Sequence, residues 1–358
     1  MFRSRLCALI LILLIGGCSA ADTPRARFDD YLARLARVLD TAVPPAQAPP
    51  PSAYPAKRAL TRVVDTPRTG WIGLFELRRC GLVNLISKRN SILGRVAPPQ
   101  RRLAYESRLL GGLQHCRTEI DPDTALHARL NALIARKRAS LPAVFWNATF
   151  ADDALIGLFS LAGEASGLDP HTAGGPTRRA LAGLAGAGEA LSAARPLDAD
   201  RLGDYYRTLE SSEHGGALLQ AAHAATGALE RATRMLEARL ARRPLCFEQR
   251  PNRRARVLQT VLLEIYGQRV QPYLSTLVRA GHDWRRAVGS LIAAQHVTIP
   301  PPFARYVRAT LTGDDTPWTR LDAAIDAHTA VWQQALGQCG LMPGAAPASQ
   351  RPSRAPSG

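Results

Sequence analysis

Glu210 and His214 are the residues whose types and spacing come closest to acid–base chemistry. On one helix, a carboxylate and an imidazole four positions apart share a face, where they can relay a proton or hold a metal ion. The alternative is that His214 marks a helix end, since Gly215 and Gly216 follow it. The motifs of serine hydrolases, zinc proteases and nucleotide-binding loops do not occur in the sequence. We therefore expect no cofactor, and Glu210 and His214 are the catalytic candidates if the chain is an enzyme.

Cys18 has the sequence context of a lipid attachment site. Arg3 and Arg5 precede an apolar run over residues 6–15, which is typical of a signal peptide. The run is shorter than the roughly 20 residues of a membrane-spanning helix. Ile15-Gly16-Gly17-Cys18 resembles a bacterial lipobox, in which the chain is cut before a cysteine that carries acyl chains. We expect residues 1–17 to be removed and Cys18 to be acylated; the alternative is an ordinary signal-peptidase site with an incidental cysteine.

The residue after Cys18 bears on the destination of the protein. Position 19 is Ser rather than Asp, which by the bacterial sorting rule predicts the outer membrane, with the protein on its periplasmic face. Each buried methylene of an acyl chain contributes about 0.8 kcal/mol, so several chains hold a soluble domain on a bilayer without a spanning helix. The predicted localisation is a lipid-anchored protein of the outer membrane.

Four other cysteines remain after the leader is removed and Cys18 is set aside: Cys80, Cys116, Cys246 and Cys339. An even number in an exported protein favours disulfides, and four cysteines allow three pairings. We favour Cys80 with Cys116 and Cys246 with Cys339. In the chain-entropy account each bridge stabilises by about 3 to 4.5 kcal/mol. No two of these cysteines have the C-x-x-C spacing of zinc sites, so no metal is expected.

The hydrophobic pattern predicts an all-α, multi-helix bundle. Apolar residues recur at helical intervals along most of the chain, and no stretch alternates convincingly with the period of a strand. Small and large residues from Gly216 to Arg239 predict a close-packed helix pair. We divide the chain into a leader at 1–17, a segment at 18–57 with the lipidated cysteine, an amphipathic helix and a Pro-rich tether, a helical domain at 58–340, and a disordered tail at 341–358.

Local signals refine this division. The amphipathic helix starts at Pro24 and is expected to pack on the body, the alternative being that it lies on the membrane. The segment Pro44–Pro55 predicts a semi-rigid spacer. Pro272 predicts a kink in a long helix that begins at Arg253, and Gly281-His282-Asp283 predicts a turn between two helices, with Asp283 capping the second.

The charge balance is strongly basic. The 46 Lys and Arg residues outnumber 29 Asp and Glu residues, for a net charge of +17. Only three of the basic residues are lysines, so part of the basicity reflects the arginine bias of GC-rich coding. A positive surface suits anionic lipid, whereas export argues against nucleic acid. Asp322 and Asp326 form an acidic pair four positions apart that we expect on a solvated helix face.

Three stretches resemble one family. Arg79-Cys80-Gly81-Leu82, Lys88-Arg89-Asn90-Ser91-Ile92-Leu93-Gly94 and Phe145-Trp146-Asn147-Ala148-Thr149-Phe150 look like those of proteobacterial lipoproteins of unknown function. The likeness extends over roughly Asp29 to Cys339. It implies an uncharacterised, lipid-anchored envelope protein, and it supplies no activity and no catalytic residue.

These observations favour a non-enzymatic adaptor or binding module of the bacterial envelope. Its expected contacts are the membrane, through the acyl chains on Cys18, and either anionic lipid or an envelope protein. The alternative is an envelope enzyme, such as a hydrolase acting on lipid, peptidoglycan or another envelope substrate, with Glu210 and His214 as its candidate residues.

Overall fold

The structure is a computed structural model that describes residues 23–65, 77–162 and 174–342. Helices make up most of these residues and none of them forms a strand, which confirms the all-α prediction. Cys18, the predicted leader and the tail from residue 343 onward lie outside the described residues.

The helices are numbered here in chain order. The first seven are α1 Pro24–Leu39, α2 Lys57–Leu60, α3 Val83–Asn90, α4 Ile92–Arg95, α5 Pro99–Thr118, α6 Ala125–Ala148 and α7 Asp153–Leu158. The next four are α8 Gly175–Ser192, α9 Ala199–Glu210, α10 His214–Arg242 and α11 Arg253–Thr260. A π-helical segment, Val261–Val270, leads into α12 Gln271–Ala293. Helix α13 Pro301–Val307 continues as a π turn, Arg308–Thr312, before α14 Pro317–Gly337.

Helix α10 is the centre of the bundle. Six of its residues recur at intervals of three and four and are all fully buried: Leu218, Ala222, Ala225, Leu229, Ala232 and Leu236. Helix α14 packs extensively along α10, and α1 also packs against it. Alanines at such a seam let neighbouring helix axes approach closely. The predicted close-packed helix pair is confirmed.

Helices α5 and α6 form an antiparallel hairpin that carries a buried ion pair. Lys137 of α6 donates to Glu106 of α5 across 2.7 Å, and both side chains are almost fully buried. The disulfide Cys80–Cys116 joins the segment before α3 to the end of α5. Ionic and covalent links therefore fix this hairpin and the chain that leads into α3.

The long helix from Arg253 continues past Pro272, and its prediction fails at one point further on. The π-helical segment ends at Val270, and Pro272 follows it in the first turn of α12. The predicted turn at Gly281 is wrong, because α12 runs unbroken to Ala293. Gly281 is buried against Trp318, and a Cβ there would overlap the indole ring. Asp283 is no cap; its carboxylate accepts from Arg286 one turn later, at 2.9 Å.

Helix α1 packs on the body, as expected. Phe28, Tyr31, Leu32 and Leu35 are buried, and Thr23 caps the helix by accepting from the backbone N–H of Ala26.

The Pro-rich segment after α1 also lies against the body, which differs from the spacer that its composition suggests. Tyr54 stacks on Phe159 with ring centroids 4.8 Å apart, and its hydroxyl donates to the carbonyl of Phe150. Arg234 of α10 donates to the Pro45 carbonyl. These contacts pack residues 45–54 against the helices.

Candidate functional site

An open groove of about 830 Å³ lies between the π-helical segment with the start of α12 on one side and α14 on the other. The two walls do not interdigitate, because α14 packs mainly on α10 while the π-helical segment packs on α1. Four of the lining side chains are buried, two from each wall: Tyr266, Leu274, Trp332 and Leu336. The groove is thus an apolar channel that the packing of the bundle leaves unfilled.

The π-helical segment is fixed against α1. Arg269 donates to the carboxylate of Asp30 at 3.0 Å, and the rings of Tyr266 and Tyr31 lie 5.5 Å apart. A π-helical turn widens the backbone and is frequent at functional sites. Here it places Leu262, Leu263 and Gly267 along the groove, where Leu263 is 47% exposed. The wall therefore exposes apolar surface along the groove.

A buried histidine supports the floor of the groove. His328 of α14 is fully buried, and its Nε2 lies 2.7 Å from the Tyr31 hydroxyl and 3.0 Å from Nε1 of Trp332. Its Nδ1 lies 3.1 Å from the hydroxyl of Thr233 on α10. The imidazole thus joins three helices directly beneath the Trp332 side chain that lines the groove.

The hydrogen bonds decide the protonation state of this imidazole. The indole N–H of Trp332 can only donate, so Nε2 of His328 is the acceptor and its proton sits on Nδ1, which donates to Thr233. Burial lowers the pKa of His328 to about 3. Burial also raises the pKa of Tyr31 well above its usual value. Both groups are therefore neutral at pH 7, and they position the floor rather than exchange protons.

The rim of the groove is polar and acidic. Asp322 and Asp326 stand on the α14 side with Thr329 and Gln333, and Gln271 and Ser275 stand opposite. Of the described residues that line the groove, none is a lysine, arginine or histidine. Partial burial raises the pKa of Asp322, and the nearby Arg285 opposes this shift. The expected exposure of Asp322 and Asp326 is confirmed, and both face the groove.

The second disulfide fixes one end of the groove. Cys246, after α10, is bonded to Cys339, just past α14. The backbone N–H of Leu245 donates to the Gln338 side chain, and Gln259 donates to the carbonyl of Leu341. Because Leu336 and Met342 line the groove beside this junction, the bridge sets where α14 ends against the floor. Both cysteine pairs are those that the sequence analysis favoured.

Glu210 and His214 do not share a helix. Glu210 ends α9, is exposed, and accepts a 3.3 Å hydrogen bond from Gln100. His214 starts α10 and is buried against Gly174, and neither ring nitrogen has a hydrogen-bond partner among the described residues. Burial, followed by the positive charge of Arg178, lowers the pKa of His214 to about 4. The structure thus places His214 at a helix start, beside a cation rather than beside a carboxylate.

Over the described residues, no three His, Cys, Asp or Glu side chains gather in a way that would bind a metal ion. In the same part of the chain, no helix is both long enough and apolar enough to span a bilayer.

Fold and groove together define an all-α protein with an open, apolar and acid-rimmed groove. The chain belongs to the family described as "Protein of unknown function (DUF3080)", whose model matches residues 28–343. No curated protein and no solved structure matches the chain.

Sequence reasoning did not identify His328, Tyr31 or the groove. Tyr31 and His328 are 297 positions apart, and each lies in an ordinary amphipathic helix. One signal was present: His328 occupies a position on the apolar stripe of α14 between Ala324 and Val331, where a histidine needs buried partners. Nothing in the local pattern identifies Tyr31 and Thr233 as those partners.

Proposed function

We propose that this protein is a lipid-anchored adaptor of the bacterial envelope, acylated on Cys18, whose groove binds an amphipathic helix of an envelope protein. The observation that carries the proposal is the groove between the π-helical segment and α14. Helix-in-groove binding uses a channel of this kind, with apolar anchors three and four positions apart along the incoming helix.

The chemistry of the groove indicates which kind of ligand it would bind. The floor and walls are apolar, which suits leucine-type anchors. Asp322 and Asp326 on the rim are complementary in charge to a lysine or arginine of the partner helix. The same carboxylates would repel a negatively charged lipid headgroup. We therefore assign the groove to a basic amphipathic protein segment.

The anchor is supported by the sequence around Cys18, where a short apolar run ends in Ile15-Gly16-Gly17-Cys18. Acyl chains on that cysteine account for membrane attachment without a spanning helix. The adaptor role is preferred over an envelope hydrolase because Glu210 is bonded to Gln100 while His214 lies buried on another helix.

In-cell photo-crosslinking tests the groove. A photoreactive amino acid replaces Thr329 or Ser275, which face each other across the groove and are exposed, in the full-length chain. The control carries it at Ala135, an exposed residue of α6. We expect one protein to be recovered from both groove positions and not from Ala135, with the adduct mapping to a segment that has apolar residues and a basic residue. Adducts with lipid or glycan alone, or equal adducts from Ala135, would contradict the proposal.

The anchor is tested separately on the same cells. The mass of the N-terminal peptide should correspond to a chain that starts at Cys18 and carries acyl groups. A Cys18→Ala variant should lose this modification and fractionate away from membranes. An unmodified N-terminus at another residue would remove the anchor from the proposal and leave the groove to be judged on its own.

A further inference from the structure

A cluster of exposed apolar side chains lies on the single turn of helix α4 and on the residue after it. Ile92 is 80% exposed, Leu93 81% and Val96 74%. Eight large hydrophobic side chains are exposed among the described residues, and three of them fall within these five positions. Single exposed apolar residues are common on soluble proteins, whereas a cluster indicates a surface that is covered by a partner.

The surroundings of this cluster are basic. From Leu77 to Tyr105 the sequence contains no Asp or Glu, and it has seven basic residues: Arg78, Arg79, Lys88, Arg89, Arg95, Arg101 and Arg102. Lys88 precedes Ile92 and Leu93, Arg95 lies between Leu93 and Val96, and both basic side chains are exposed. Glu106, the next acidic residue, is buried and bonded to Lys137. Arg102 lies 3.8 Å from the buried Glu106, and the remaining basic residues make this segment positive, with no acidic residue of its own.

Hydrogen bonds hold the turn in one conformation. Ser91 caps α4 by accepting from the N–H of Gly94 at 3.1 Å, and Arg95 donates to the Asn90 carbonyl at 3.0 Å. Arg89 donates to the carbonyl of Gly94, which closes the turn. A Cβ on Gly94 would overlap the carbonyls of Lys88 and Arg89, so the tight return requires glycine. The backbone is thus satisfied internally, and the apolar side chains project from a fixed frame.

The base of the turn is attached to the bundle. Ile86 of α3 is buried, and Leu82 just before α3 packs on Gly112 of α5. The disulfide Cys80–Cys116 ties the same two segments together. The turn is therefore attached firmly to the bundle, so a contact made by the turn positions the whole bundle.

We propose that Ile92, Leu93 and Val96 form a membrane-insertion tip, which enters the acyl-chain boundary of an anionic bilayer while Lys88 and Arg95 contact lipid phosphates. The apolar side chains suit the hydrocarbon layer of such a membrane, and the two basic side chains beside them suit its negatively charged headgroups. This contact is separate from the groove and from Cys18. It would orient the body relative to the membrane, which acyl chains alone do not do.

Photo-crosslinking to vesicles tests the tip. The full-length protein is extracted from cells with a photoreactive amino acid at Leu93, or at Val63 as the control, since Val63 is an exposed apolar residue elsewhere (96%). It is reconstituted into phosphatidylethanolamine vesicles with or without phosphatidylglycerol. We expect lipid adducts from Leu93 to exceed those from Val63, and to rise several-fold when the anionic lipid is present.

A charge-reversed variant, Lys88→Glu with Arg95→Glu, supplies the second comparison. It should lower the Leu93 lipid adducts on anionic vesicles by about fivefold or more for each basic residue removed. Because Arg95 also donates to the Asn90 carbonyl, Lys88→Glu alone is measured beside it. This single variant should lower the adducts as well, and its thermal unfolding should match the parent, since Lys88 is exposed. Equal adducts at Leu93 and Val63, equal adducts on both vesicle types, or recurrent adducts of Leu93 with one protein in cells would overturn the proposal.

Discussion

The hydroxyl of Tyr31 lies 2.7 Å from Nε2 of His328, which joins the first and last helices of the described bundle. Trp332, which lines the groove, donates to both groups at 3.0 Å. Breaking one buried hydrogen bond leaves an unsatisfied group and costs about 1 to 3 kcal/mol. The side chains of the groove floor are therefore bonded to the contact between α1 and α14. The stability of the fold and the shape of the groove depend on the same hydrogen bonds.

His328 should make the stability of the protein pH-dependent. Its pKa is about 3 in the folded protein against 6.5 for an ordinary histidine. Below pH 6.5 the unfolded chain binds a proton that the folded chain does not, so this residue lowers stability as pH falls from about 6.5 towards 3. The loss is about 1.4 kcal/mol per pH unit in that window. Urea unfolding between pH 7.5 and pH 4.5 (about three units) measures it.

The control for this effect is His328→Gln, which cannot titrate. Asp152 has a folded pKa raised to about 6 by burial and contributes in the opposite direction, but it is present in both proteins and cancels in the comparison. The variant should be less stable than the parent at pH 7.5 and should lose less stability on acidification. Parallel curves for the two proteins would show that His328 is not buried as a neutral group.

The buried pair of Lys137 and Glu106 gives a second prediction. Lys137→Met removes the cation 2.7 Å from the carboxylate and leaves Glu106 buried, with only the more distant Arg102 at 3.8 Å. The free energy of unfolding should fall by about 3 to 5 kcal/mol. Adding Glu106→Leu removes the unpaired charge and should recover much of the loss in a denaturant titration. A double variant as unstable as the single one would argue against a buried pair.

The bridge between Cys246 and Cys339 should be stabilising. It spans 93 positions, and the chain-entropy account gives about 4.5 kcal/mol for a loop of this size. Replacing both cysteines with alanine should lower the midpoint of denaturant unfolding. Peptide mapping without reductant should recover the two cysteines as one linked species, and recovery of both as free thiols would contradict the assignment.

Gly281→Ala should destabilise the protein although alanine favours helices. The added Cβ meets the indole of Trp318, and such overpacking costs about 1 to 3 kcal/mol. Gly289→Ala in the same helix is the matched control, because that site has open space and should gain up to about 1 kcal/mol. Thermal unfolding of the two variants should shift in opposite directions. A stabilised Gly281→Ala protein would mean that α12 and α14 are not this close.

The sequence predicted the helices better than their connections. Apolar periodicity identifies α10 because Leu218, Ala222 and Leu229 repeat on one face. Glycine and proline signals mislead where a tertiary contact uses them for another purpose. Gly281 resembles a helix end but makes room for Trp318, and prolines that suggest a spacer precede Tyr54, which stacks on Phe159. Local patterns carry no information about these distant partners.

The groove was beyond prediction for a similar reason. Its walls belong to the π-helical segment, the start of α12 and α14, and its width depends on how α1 and α10 hold the π-helical segment and α14 apart. Asp322 and Asp326 are recognisable as an acidic pair, but only the fold shows that they face Ser275 and Gln271 across an apolar channel. The candidate pair Glu210 and His214 fails because a helix boundary falls between them.

The most direct test of the account is the dependence of groove crosslinks on the rim charge. Protein adducts from a photoreactive residue at Thr329 are compared in cells between the parent chain and an Asp322→Lys, Asp326→Lys variant, with Asp322→Asn, Asp326→Asn as the uncharged control. All four replacements are at exposed positions, so folding should be retained. The account predicts that the lysine variant loses the adduct and that the asparagine variant keeps a reduced amount. An adduct of undiminished yield in the lysine variant would contradict a groove that binds a basic amphipathic helix.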